Sequence, residues 1–519
     1  MSLRIGIDVG GTNTDAAVLK GTEVIAATKV ITSDDVTTGI LTALTEVLEG
    51  LEPSDVDSVF IGTTHFINAI AQAKNLDKVA AVRLATPPQT LLPMIDWPEK
   101  LLAAVNGGVY ICAGGSQYDG RPLNPVDEDA LRAAAREIKA SGVRRIALSA
   151  VFSVVNDEPE KLAERILQEE LPEATITRST LVGRTGILER ENATILNAAL
   201  LTLADRVVEA LEDVIARVGI TAPILLSQND GTVMTLETAR LFPIFTIASG
   251  PTNSMRGAAL LTGIRDGVVV DVGGTTTDVG MLRHGFPREA TVAMSLAGVR
   301  SNFSIPDVLS LALGGGTIIG DDGESVGPES VGHRIVREAR VFGGETLTFT
   351  DVAVAGGAEP IGNASAVSGL DQAVVDRALA IAGDRVLQAV DKAKLTGADT
   401  PIIVVGGGAS LLAPVPGLDH AVIPANAGVA NAVGAAFAEA GGEVDRVFAL
   451  EGTTRAEILK EAREEATARA IEAGADPEQV RIITSEDIPL THLPSGAAVH
   501  VRVKAVGPFL SPVLVAEGE

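Results

Sequence analysis

Apolar positions cluster in short β-branched runs separated by stretches with helical spacing, and one run with its polar tail occurs twice. Residues 5–19, IGIDVGGTNTDAAVL, return at 268–282 as VVVDVGGTTTDVGML, with eight of the fifteen positions identical at an offset of 263. Each copy predicts a strand that runs into an Asp and then into Gly-Gly-Thr. The glycine pair lets the backbone fold back and bring N–H groups close to an anion, and the threonine hydroxyls add donors. An ordinary hairpin turn also uses Gly-Gly, but it needs neither the acid before it nor the Thr-x-Thr-Asp after it. Two copies of the full pattern therefore predict two phosphate loops, able to hold a nucleoside triphosphate from both sides.

Between the copies the pattern continues. A helix is expected at 36–48, and a short strand at 58–62 leads into Thr63, Thr64 and His65 at the mouth of another helix, with Thr63 or Thr64 as N-cap. Strand-length runs follow at 78–84 and 145–152, with glycine-marked turns between them, and residues 188–218 have the spacing of a long helix that could bridge two halves. A strand at 401–405 ends in Gly406, Gly407 and Gly408, which puts bare backbone at a carboxyl strand end and suits the flat ring of an adenine. A third glycine turn, 314–316, reads equally well as a loop or a ligand contact. Residues 421–438 carry no charge, yet their proline, asparagines, alanines and glycines predict a tightly packed small-residue helix rather than a membrane span. From 445 onward a charged helix at 454–473 and strands near 480–484 and 499–506 suggest a small α+β appendage.

Composition narrows the partners. With 41 Lys and Arg against 67 Asp and Glu, the net charge of −26 repels nucleic acid and anionic lipid. The single cysteine, Cys112, excludes an intramolecular disulfide and a thiolate metal cluster, and reads as a small buried residue. No basic stretch followed by an apolar one opens the chain, so a cytoplasmic location is expected. A length of 519 residues allows two or three domains.

The candidate chemistry follows from the repeats. Asp8 and Asp271 are the candidate ligands of a divalent cation such as Mg2+, directly or through its waters. Gly10, Gly11, Thr12 and Asn13, with Gly273, Gly274, Thr275 and Thr276, would donate to the β- and γ-phosphates of ATP, where positioning and charge neutralisation supply most of the catalysis. Asp15 and Asp278, seven residues after their partners, could orient substrate or metal or satisfy backbone. His65 could face the cleft or be a satisfied structural histidine. Arg83 and Arg190 could bind a substrate carboxylate through a bidentate fork, or act as ion-pair partners.

These motifs resemble those of the actin, hexokinase and heat-shock chaperone ATPases, through residues 8–15, 271–278 and 404–410. More narrowly, Gly62-Thr63-Thr64-His65 with Asn68, RENATILN at 190–197, Ser249-Gly250-Pro251 and Val326-Gly327-Pro328-Glu329-Ser330 resemble the hydantoinase A and 5-oxoprolinase family. The resemblance implies an α/β fold of two ribonuclease H-like lobes with ATP between them, divided as 1–187, 188–440 and a small α+β domain at 441–519. It implies ATP-dependent opening of a cyclic amide, a hydantoin or a lactam, by phosphorylation of the carbonyl oxygen, with help from a second hydrolase subunit in a homo- or hetero-oligomer. A small-molecule kinase, an acetone carboxylase-like subunit and a chaperone-type switch are the alternatives, the last needing a peptide-binding domain. One departure is the run Val331-Gly332-His333-Arg334, where many members have Pro-Gly-Pro-Ala-Cys-Tyr-Gly.

Overall fold

In the computed structural model, residues 3–11, 13–32, 36–89, 91–290, 294–394, 399–450, 452–490 and 498–510 are described. The first copy of the repeat is an antiparallel hairpin of Leu3–Val9 and Asn13–Lys20, extended by Glu23–Ile31. Leu3–Val9 also pairs in parallel with Val56–Thr63, and the crossover this requires is supplied by the Val36–Val47 helix. The second copy is built alike: Gly267–Val272 pairs antiparallel with Thr277–Arg283 and parallel with Ile402–Val405. Each copy anchors its own sheet, of nine and five described strands.

The inserted region folds on a third, all-parallel sheet in the order Asn106–Ala113, Val79–Ala85, Arg145–Ala150, Thr175–Arg178. Val79–Ala85 is buried along its whole length, as a central parallel strand covered on both faces should be. Cys112 is buried here, and that burial pushes its thiol up to about 11. The 31-residue Ile187–Arg217 helix packs its first half on this sheet, through Ile195 and Leu196, and its second half on the first sheet, through Val208 and Leu211. It therefore joins the insertion to the first sheet rather than bridging the two repeats.

Sheet membership also cuts across the expected divisions at 187/188 and 440/441. Ile224–Ser227 and Thr232–Thr235 pair into the first sheet, and Glu439–Ala449 joins them through Thr232 and Val233. The strands Arg481–Leu490 and Ala498–Pro508 continue that sheet, under a helix, Arg455–Glu472, whose start is closed by a reciprocal Thr454–Glu457 capping box. The C-terminal α+β unit is thus a hydrogen-bonded extension of the first sheet with a core of its own around Ile458, Ala462, Val501 and Val503.

Two small-residue helices lie between the sheets. A Cβ on Gly257 of Ser249–Thr262 would stand 1.8 Å from Ala430 O, and one on Gly434 of Ala430–Ala436 would stand 1.8 Å from Asn253 O, so glycine is what allows the two backbones to touch. The helix within 421–438 is shorter than the charge-free run, and Ala409–Leu412 after the glycine triplet is a 3-10 turn rather than an α-helix. No described helix is long and apolar enough to cross a membrane.

Candidate nucleotide-binding site

The two hairpins close identically. Gly10 N–H donates to Asn13 O at 2.9 Å, and Gly273 N–H donates to Thr276 O at 2.9 Å. Register then pairs Asp8 with Asp15 and Asp271 with Asp278 across their strands. The tips are open: a Cβ on Gly11 or Gly274 would meet nothing within 4 Å, and Thr275 and Thr276 are exposed. Thr12 lies outside the described residues.

The aspartates converge below the tips. Asp8 accepts from Asn253 Nδ2 at 3.2 Å and Asn431 Nδ2 at 2.9 Å, and Asn431 also donates to Asp15 Oδ2 at 2.7 Å. Burial, then the neighbouring Asp15, raises the Asp8 carboxyl above its ordinary value despite those amides. Burial likewise lifts Asp271 to about 6, opposed by a bond from Ser254 and reinforced by the charges of Asp278 and Asp8. Asp278 is raised by burial and accepts from Ser310. Adjacent residues of the Ser249–Thr262 helix thus serve one acid from each repeat, Asn253 for Asp8 and Ser254 for Asp271. Partly desolvated, mutually repelling carboxylates suit an incoming cation. No group of three or more His, Cys, Asp or Glu among the described residues forms a ready chelate, so a cation here would draw further ligands from phosphate and water.

The glycine triplet completes the junction. Gly406 adopts φ +91°, and a Cβ there would fall 2.2 Å from Asp271 Oδ1, so only glycine lets this loop lie on the acid. Gly408 N–H donates to Val272 O at 2.8 Å, while Gly407 stays open toward Lys29 of the first lobe. In the first lobe Gly62 plays the part of Gly406: a Cβ on it would stand 2.3 Å from Asp8 Oδ1.

His65 is placed differently. Its backbone N–H donates to Thr63 Oγ1 at 3.3 Å and its Nδ1 lies 2.5 Å from the same oxygen. The ring lines a cavity of about 210 Å³ walled by Val9, Ile40, Ile61, Val207 and Leu211. Side chains alternate along a strand, so Val9 and this cavity lie on the sheet face opposite Asp8. Burial lowers the His65 pKa, which keeps the imidazole neutral. Thr64 is the N-cap residue of His65–Gln72, yet its hydroxyl donates to Val9 O at 3.1 Å instead of capping.

The two candidate arginines are satisfied internally. Arg83 forks onto Glu191 at 2.9 and 2.5 Å, and Arg190 donates to Ser179 Oγ, Arg184 O and Ala150 O. They leave no fork for a substrate carboxylate. Larger cavities, of about 270, 440 and 680 Å³, surround a network in which Arg184 pairs with Glu289, Glu443 and Asp445. Burial alone would raise Glu289, but Lys504, Arg184 and Arg502 hold it well below the usual carboxylate range. Every charge named there is already paired, so volume is a poorer guide to the site than the hairpins are.

Sequence reasoning passed over Asn253, Ser254, Asn431 and Lys29. Asn431 carried a signal, as a polar residue inside a charge-free, small-residue run. Lys29 carried another, as the residue that falls opposite Asp15 once the next strand is folded back.

Two matching hairpins, each with an acid beneath an open glycine tip, define an α/β protein built on a duplicated turn motif. Residues 4–171 match the hydantoinase/oxoprolinase N-terminal region and residues 190–358 match the hydantoinase/oxoprolinase domain, and the chain belongs to that family. It is 26% identical over 389 residues to the caprolactamase subunit alpha of Pseudomonas jessenii, covering 68% of this chain and 54% of that protein. It is also 26% identical over 251 residues to the acetophenone carboxylase gamma subunit of Aromatoleum aromaticum, covering 45% and 34%. The chain thus spans about half or less of these relatives. Among solved structures, the ATP-dependent caprolactamase of Pseudomonas jessenii superposes with a TM-score of 0.78 at 19% identity, over 99% of this chain and 88% of that one. Nucleotide-free acetone carboxylase superposes with a TM-score of 0.67 at 18% identity over the same shares.

Proposed function

We propose that the chain binds ATP with Mg2+ between its two hairpins and uses it to activate the carbonyl of a cyclic amide for ring opening. The observation that carries this reading is the placement of Asp8 and Asp271 at equivalent positions of the repeat, served by the adjacent residues Asn253 and Ser254 and close enough that the charge of Asp8 acts on Asp271. Asp8 and Asp271 would hold the cation directly or through its waters, and its charge would offset that of the phosphates. Gly10, Gly11 and Asn13 and their counterparts Gly273, Gly274 and Thr276 face the phosphates together with Thr275, and Gly406, Gly407 and Gly408 carry the base. Asp15 and Asp278 brace the two metal-facing acids. We assign the two lobes to the two large sheets, with the C-terminal unit as an extension of the first.

The reaction balances as follows. The amide oxygen takes the γ-phosphoryl group, the bond from γ-phosphorus to the bridging oxygen breaks, and ADP leaves. Water then adds to the activated carbon, the ring C–N bond breaks as the nitrogen takes a proton, and a second water releases phosphate from the resulting acyl phosphate to leave the carboxylate. The His65 ring is held at Nδ1 by Thr63 Oγ1, on the sheet face away from Asp8. Two named relatives are subunits, which supports a partner subunit for the hydrolytic half, working in the cytoplasm. The likeness to acetone carboxylase favours one alternative, a ketone as phosphoryl acceptor.

The test is phosphate release and ring-opened product from purified protein with Mg-ATP and a panel of lactams and hydantoins, with and without the protein encoded beside it. Amide-dependent ATP cleavage is expected, with ring opening enhanced by the partner. A stable phosphorylated alcohol as product, with no amide accepted, would overturn the reading in favour of a kinase.

A further inference from the structure

The two repeats match residue by residue until the strand that flanks each hairpin. In the first lobe Asp15 pairs across to Lys29 of Glu23–Ile31, whereas in the second Asp278 pairs across to Ser310 of Val308–Leu311. Lys29 Nζ lies 2.5 Å from Asp15 Oδ1, and a Cβ on Gly407 would lie 3.8 Å from Lys29 Cε and 3.9 Å from its Nζ. One flexible ammonium therefore stands where the first hairpin, the asparagine of the Ala430–Ala436 helix and the glycine triplet of the other lobe meet.

An isolated cross-strand pair explains little of this. With a third of the lysine side chain exposed, such a pair contributes about 0–1 kcal/mol. When Lys29 moves, Asp15 keeps the bond that Asn431 Nδ2 donates to its other oxygen. Four carboxylates, Asp8, Asp15, Asp271 and Asp278, surround the junction, and a polyphosphate entering it adds more negative charge. Lysine is a compact point charge on a four-carbon stem, suited to following such a group.

We propose that Lys29 is the terminal-phosphate subsite of this cleft: it exchanges Asp15 for the γ-phosphate of a nucleoside triphosphate. The inference rests on the nucleotide reading above and adds the part of the nucleotide that Lys29 senses. The second lobe, with Ser310 at the matching register, contributes no charge there.

The experiment is calorimetric titration of the full chain with ATP, ADP and AMP, each with Mg2+, for wild type, Lys29→Gln and Lys29→Arg. The loss of one charge-assisted contact predicts that Lys29→Gln weakens ATP by at least about tenfold, ADP less and AMP hardly at all. Lys29→Arg should recover most of the ATP affinity, and Ser310→Ala should leave the ATP-to-AMP ratio unchanged. An equal loss for all three nucleotides in Lys29→Gln, or no loss for any, overturns the subsite while leaving the nucleotide cleft standing. A wild-type protein that binds none of the three overturns both. Thermal unfolding of Lys29→Gln at the wild-type temperature checks that the edge strand is intact.

Discussion

The two hairpins share their acids, their turn bond and their register, but they are braced in different ways. Behind the second, Gly315 N–H donates to Gly273 O at 3.0 Å, Gly316 N–H to Gly274 O at 2.7 Å, and Thr277 Oγ1 to Leu313 O at 2.6 Å. Behind the first, Thr32 Oγ1 donates to Gly10 O at 3.0 Å and to no backbone clamp of that kind among the described residues. The third glycine run, ambiguous as a sequence, is thus the frame of the second hairpin. Duplication has kept the groups that face a ligand and divided the rest: the second lobe holds its loop with backbone, and the first holds its loop with side chains and adds a lysine. A backbone clamp is insensitive to titration and costs no rotamer entropy. A side-chain brace can let go.

The comparison can be broken most severely at what the hairpins share. Asp8→Asn and Asp271→Asn should each lower ATP turnover by about a hundredfold or more, as removal of a main electrostatic group does, while both variants stay folded. Phosphate release in wild type and variants decides the point, and undiminished turnover in both would mean that the paired acids are only structural.

A smaller effect should separate the two braces. A Cβ on Gly314 would come within 2.7 Å of Thr275 backbone, so Gly314→Ala must displace the second hairpin. ATP affinity should fall about tenfold, a cost of roughly 1.4 kcal/mol, measured by calorimetry at unchanged AMP affinity.

The pH response sharpens the contrast further. Asp271 has a folded pKa raised by burial from 3.8 to about 6, so between those values the folded state binds more protons than the unfolded one. Its contribution to the stability of the empty protein is present at low pH and is lost as pH climbs through about 6. Cation binding needs the ionised carboxylate, so nucleotide affinity should rise several-fold across the same window. Melting temperatures and Mg-ATP titrations at a series of pH values test both signs, and Asp271→Asn should flatten both curves.

The smallest change is expected from Thr32→Val, which removes the hydroxyl that donates to Gly10 O of the first hairpin. One hydrogen bond corresponds to about 1 kcal/mol, and thermal unfolding should register that with little loss of ATP affinity. A larger loss than in Gly314→Ala would reverse the assignment of rigid and yielding loops.

Much of this site was legible one residue at a time. The Asp-Val-Gly-Gly-Thr repeat placed four aspartates and two turns correctly because a hairpin is local: its register follows from the turn, and the turn from two glycines. Gly406 could be read as special from its triplet, although its reason is Asp271, which lies 135 residues away in the chain. His65 was readable as a residue after a strand, but its direction was not, since that depended on the parity of the strand and on a cavity lined from the Ile187–Arg217 helix. Arg83 and Arg190 were misleading for a related reason: a buried guanidinium looks like a binding group until its carboxylate, hydroxyl or carbonyl partner is seen.

The amino-acid sequence by itself determined the two hairpins, the family, the net acidity, and the small residues that let two helices touch between the sheets. These depend on short-range geometry and on composition, both of which survive in a linear string. Only the tertiary structure decided that strands from 224 and 439 onward extend the first sheet, that Asn253 and Ser254 share the two acids between them, and that Lys29 meets Gly407 across the cleft. Such pairings join residues hundreds of positions apart. They are set by which backbones can approach and which buried charges must be met, conditions that come into being only when the sheets have packed.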